Sequence, residues 1–105
     1  MTALPPEEFL ALSAVLLGIG LFGILTRRNF ILLLIAIEIA MNAAILNFVY
    51  FGAFSGGVGG LTGQAVAVVL IGFAATEVAV GLAIVLALNR LKGTINVAQA
   101  TDLRL

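Results

Sequence analysis

Residues 29–54, NFILLLIAIEIAMNAAILNFVYFGAF, decide the fold. A helix needs about 20 mostly apolar residues to cross a bilayer, and this run exceeds that length. One carboxylate, Glu38, interrupts it. A charged side chain at the bilayer centre costs roughly 2.5 to 3.5 kcal/mol on insertion scales, so a chain that keeps one there has a use for it. A second acid, Glu77, lies inside another apolar run, residues 64–89. Two membrane-buried acids are therefore the functional signal, and the remaining sequence says how they are presented.

Working outward, 63% of the 105 residues are hydrophobic and 10% charged, far from the balance of a soluble domain. The expected class is an all-α integral membrane protein: one domain, residues 1–105, with three transmembrane helices in a small bundle. Five basic and five acidic residues cancel, so no basic patch points to nucleic acid. Cysteine and histidine are both absent. This excludes disulfides, iron–sulfur clusters and His-ligated haem or zinc within the chain, because those sites need thiolate or imidazole donors. Redox chemistry associated with the chain belongs to a partner. Three helices alone bury little against one another, and lipid supplies no hydrophobic drive between them. An obligate larger assembly is the expected setting.

The first span, about residues 9–25, follows Pro5 and Pro6 and carries Glu7 and Glu8 at its first turn. Proline is tolerated at a helix start, and acids suit the positive end of the helix dipole. No Lys or Arg precedes the span, so it reads as retained rather than as a secretory signal. Its GIGLFG stretch, with Gly18, Gly20 and Gly23, matches G-x-G-x-x-G. The dinucleotide motif needs a preceding strand and an amphipathic helix, whereas small residues inside an uncharged apolar run indicate close helix packing. Thr26, Arg27, Arg28 and Asn29 make a short connection whose two arginines mark it as cytoplasmic. In the second span, Asn42 lies four residues after Glu38, on the same helical face, where an amide can hydrogen-bond a carboxyl. Asn47 falls about half a turn round. Residues 52–63, GAFSGGVGGLTG, hold six of the twelve glycines and read as a flexible non-cytoplasmic loop. A phosphate cradle wants a Lys followed by a hydroxyl, and this stretch has no basic residue. The third span, about 64–89, surrounds Glu77 with small residues and ends at Arg90 and Lys92, followed by a cytoplasmic tail, 90–105.

These assignments put the N-terminus outside and the C-terminus in the cytoplasm. Glu38 lies ten residues beyond Arg28, about 15 Å of helix, and Glu77 lies thirteen before Arg90, about 20 Å. Both acids should sit near the midplane, where neighbouring spans would bring the carboxyls to similar levels. Intramembrane acids facing a bundle interior serve as proton relays or ion sites. No Lys or Arg lies within a span, so cations that tune these acids must come from other subunits.

The order TRRNFILLLIAIEIAMNAAILNF, then GQAVAVVLIGFAATEVAVGLAIVLAL, then a basic end and NVAQATDL, resembles the K-subunit (NuoK) family of bacterial NADH:quinone oxidoreductase, respiratory complex I. The resemblance runs from about Gly18 onward. RRN followed by I-E-I-x-x-N-A, and A-A-T-E-V-A-V-G-L, are its most specific parts. It implies a three-helix membrane-arm subunit of the bacterial inner membrane, beside subunits of the A, J, N and H types, where quinone reduction is coupled to proton pumping. Glu38 and Glu77 match the family's two membrane glutamates, assigned to the axis that carries protons or coupling charge. Arg27 and Arg28 match its paired basic residues, and Asn42 is a supporting residue. FMN, iron–sulfur clusters and quinone are implied for partner subunits, with no cofactor or metal in this chain. In one departure, Leu61-Thr62 stands where many relatives carry an acid or more polar residues before Gly63-Gln64.

The C subunit of a multisubunit cation/proton antiporter resembles the same three-helix plan, but its second span usually lacks the acid that Glu38 supplies. A small multidrug exporter resembles four spans with an acid in the first, and a rotary-ATPase ring subunit is typically a two-helix hairpin. The charge-rule topology is directly testable. A reporter fused after Leu105 should read as cytoplasmic, and an external signal would overturn it.

Overall fold

Helix α1 (Pro6–Thr26) opens where proline permits a helix to open, with Pro6 in its first turn, Glu7 and Glu8 beside it, and Pro5 extended before it. It ends at Arg27, whose extended backbone turns the chain while its N–H still donates to Gly23 O at 3.0 Å. Asn29 then starts helix α2 (Phe30–Ser55). Its Oδ1 accepts from the N–H groups of Ile31 and Leu32 at 2.9 and 3.3 Å, which satisfies donors that a helix start leaves orphaned. Helix α3 (Gly57–Lys92) stops at Gly93, where φ is +64°. Glycine takes that left-handed conformation without a Cβ clash. The computed structural model describes residues 5–55, 57–93 and 95–98. Among them the structure is helical apart from the connections and one isolated bridge. All three helices are long and apolar enough to cross a membrane.

Residues 52–63 are not the flexible loop their composition suggests. Helix α2 continues to Ser55 and α3 begins at Gly57, with φ of +54° at Gly57 making the reversal. The glycines are instead a helix–helix contact. A Cβ at Gly52 would stand 3.0 Å from the Gln64 nitrogen and 3.1 Å from the Gly63 carbonyl carbon, and one at Gly63 would stand 2.7 Å from Gly52 Cα. Glycine in a helix interior costs about 1 kcal/mol relative to alanine. Here that cost is offset by backbones that touch, which is how helices associate in lipid. The third helix is consequently longer than its expected span, 36 residues, or about 54 Å against about 30 Å of hydrocarbon.

Helix α2 lies between the other two, which scarcely meet each other. Towards α1 it offers small residues: Gly20 sits against Ala36 and Ala40, and Gly23 against Ala36. This bears out close packing as the meaning of GIGLFG. Gly18, with nothing within 4 Å of its missing Cβ, takes no part. At the far end of this pair, Phe9 stacks on the buried Tyr50 at 4.0 Å, with Phe54 and Phe51 against the same ring. At the opposite end the chain after α3 folds back. Phe30 N–H donates to Ile95 O at 2.9 Å and Val97 N–H to Arg28 O at 2.6 Å, pairing Asn29 with Asn96 in an antiparallel bridge. The remainder of the expected tail, residues 99–105, lies outside the described residues. Hydroxyls within the helices bond back to their own turn, Thr62 to Val58 O and Thr76 to Gly72 O, both at 2.9 Å, so they need no partner from lipid.

Alanine at Gly20 would set its Cβ 2.7 Å from both Ala40 Cβ and the Ala40 nitrogen. Overpacking of this kind costs about 1–3 kcal/mol. Gly20→Ala should therefore lower stability in SDS titration of mixed micelles, whereas Gly18→Ala should leave it unchanged or raise it by up to about 1 kcal/mol. Equal responses would contradict the close contact.

Candidate functional site

The register of α2 against α3 is fixed at two points. Gly81 meets the Leu34 side chain, and eighteen residues further along α2, Gly52 meets Gly63, eighteen residues back along α3. The helices are antiparallel with no slip between these contacts. Four residues inward from the Leu34–Gly81 contact lie Glu38 on α2 and Glu77 on α3. The two acids therefore stand at the same level of adjoining helices, as the distances from the flanking arginines led us to expect.

They do not face each other. At 3.6 residues per turn, four residues rotate a side chain by about 40° beyond one full turn. Glu38 is rotated forwards from Leu34 and Glu77 backwards from Gly81. On helices that run in opposite directions, these opposite senses send the carboxyls to opposite edges of the seam. The cavities agree. Glu77 lines a groove of about 620 Å³ together with Leu34, Met41, Phe73, Thr76 and Gly81, and Glu38 is not among its lining residues. Both acids are half-buried. Glu38 Oε1 is fully buried and without a hydrogen-bond partner among the described residues. In apolar surroundings an unmet acceptor costs about 1–3 kcal/mol, a cost removed by any donor that reaches it.

Asn42 does not meet that need. It shares the general face of Glu38 but is exposed, and no hydrogen bond joins its amide to the carboxyl. The extra rotation of one turn plus about 40° carries it off the seam onto the side of α2. Arg27 and Arg28 are exposed in the α1–α2 connection. Arg27 lines a groove between α1 and α2 with Phe22, Gly23 and Ile35, and Arg28 accepts the Val97 N–H on its carbonyl. Neither is brought to the acids. Asn47 lines a groove near Ser13 and Ala43 and another with Gly52, Gly59 and Gly63, and its Oδ1 is buried without a partner among the described residues. The Leu34–Gly81 contact was not read from the sequence, although Gly81 four residues after Glu77 is the signal that could have found it.

A polytopic membrane subunit is the class these features define: three long apolar helices, apolar outer faces and two carboxyls at one level of adjoining helices. The family model described as NADH-ubiquinone/plastoquinone oxidoreductase chain 4L matches residues 8–105. Subunit K of NADH-quinone oxidoreductase from Anaeromyxobacter sp. (strain K) is 48% identical over 94 residues, which cover 90% of this chain and 92% of that protein. The Bacillus anthracis (strain CDC 684 / NRRL 3495) subunit K is 43% identical over 104 residues, 99% of each. The chain belongs to this family of NADH-quinone oxidoreductase subunits.

Proposed function

We infer that this chain is a non-redox subunit of the membrane arm of a proton-translocating NADH:quinone oxidoreductase, in which Glu38 and Glu77 carry protons or coupling charge. The observation that supports the reading is the pairing itself: two carboxyls at one level of adjoining helices, one with a buried oxygen that nothing among the described residues satisfies. An acid in such surroundings can take up a proton and release it when a neighbouring charge changes. Membership of the family supplies the enzyme to which this belongs.

In this reading the driving chemistry sits elsewhere. The chain has no cysteine or histidine, so iron–sulfur clusters belong to partner subunits; the family resemblance implies that flavin and the quinone site lie in partners too, with subunits of the A, J, N and H types as neighbours. The setting is the bacterial inner membrane, with the Arg27–Arg28 connection and the end of α3 on the cytoplasmic side. Glu38 and Glu77 open to opposite edges of one seam, so the subunit passes charge from a neighbour on one side to a neighbour on the other.

Glu38→Gln should allow the complex to assemble while depressing proton pumping and the quinone reduction coupled to it. Glu77→Gln should give a milder loss, and the double change a larger one than either. Measured in sealed vesicles, a normal proton-to-electron ratio and rate in Glu38→Gln would remove the relay role. Strict additivity of the two changes would show that the acids do not act as a unit.

A further inference from the structure

Two grooves run along the edge of the α2–α3 seam to which Glu77 turns. The larger contains Glu77, Thr76 and Met41. The smaller, about 150 Å³, begins at Phe30 beside the α1–α2 connection and passes Leu33 and Ile37. Leu34, Gly81 and Ile84 line both. The partition between them is the isobutyl group of Leu34 lying over Gly81, where a Cβ would stand 2.7 Å from Leu34 Cδ1 and 3.0 Å from Cδ2.

We propose that Leu34, seated on Gly81, gates water entry to Glu77 from the Arg27–Arg28 end of the molecule. Apolar constrictions close by drying, and the smaller groove is lined by apolar side chains and glycine alone. Beyond the partition lie the Glu77 carboxyl and the Thr76 hydroxyl; before it lie the polar groups of residues 27–29. Between them run the apolar smaller groove and, at its inner end, the Leu34 side chain over Gly81. Leucine moves between staggered rotamers, and the missing Cβ at position 81 gives its methyl groups a seat that a larger residue would deny. Lifting the isobutyl group joins the grooves into one path; seating it divides them. That the admitted water delivers a proton rests on the reading of Glu77 given above. The route itself does not.

The chain contains no cysteine, so Met41→Cys places a single thiol of this subunit in the Glu77 groove. In the assembled complex, in sealed vesicles of either orientation, its rate of modification by a cationic trimethylammonium-ethyl methanethiosulfonate reports access. Leu34→Ala should accelerate modification on the order of tenfold, only when reagent is added on the Arg27–Arg28 face, and Leu34→Phe should slow it. Leu34→Val, a smaller truncation, should give an intermediate rate and serves where the alanine variant fails to assemble. A rate independent of residue 34, or one accelerated equally from both faces, overturns the gate. If labelling follows residue 34 while Glu77→Gln pumps normally, the gate stands and the proton role of Glu77 falls.

Discussion

Close helix-to-helix contact at three glycine-bearing levels is the constraint on which the rest depends. In water, helices associate by withdrawing apolar side chains from solvent. In lipid that drive is missing, and what remains is close packing and dispersion. Gly20 against Ala40, Gly52 against Gly63 and Gly81 beneath Leu34 let α2 approach both neighbours more closely than larger residues would allow. Each contact is also specific in register. A slip of one residue turns a helix by about 100°, which would swing these positions off their partners and drive side chains into the gap.

The register decides what the acids can be. With Gly81 under Leu34 and Gly52 against Gly63, Glu38 and Glu77 share a level. With the same contacts fixing rotation, they lean to opposite edges of the seam. The arrangement differs from a carboxylate pair sharing one proton, because the two groups do not meet face to face. In the proposed function these two acids would serve as a crossing point between the two edges; the residues between, Leu34, Met41 and Gly81, are apolar or lack a side chain.

Much of this was legible before any coordinates. Span positions followed from hydropathy, and the depth of the acids from residues counted to the flanking arginines, because a helix has a fixed rise. The packing role of Gly20 and Gly23 followed from small residues in an uncharged run. Residues 52–63 were misread because glycine carries opposite meanings in water and in lipid: there a loop former, here the residue that lets helices touch. The Asn42–Glu38 bond failed for a different reason. A spacing of four permits contact along a face, but the residual 40° of rotation leaves the partner free to lie outside the seam. The return of Ile95 and Val97 to residues 28–30 left no trace in the side-chain pattern, since backbone groups make that pairing.

Helix α2 is held along its whole length. Its N-terminal end is tied by Asn29 and by the backbone pairing with Ile95 and Val97, its middle by Gly20 and Ala40, and its C-terminal end by Tyr50 stacked on Phe9 and by Gly52 on Gly63. Sliding α2 by one turn, about 5.4 Å, would break all of these at once, in a solvent that cannot hydrogen-bond the groups set free. A helix fixed in this way is a poor piston. The parts left free to respond to charge are side chains: the two carboxyls at the edges of the seam and the leucine over Gly81. If the proposed coupling runs through this subunit, it calls for rotamer changes and water rather than for movement of a helix, with the glycine contacts keeping the frame still.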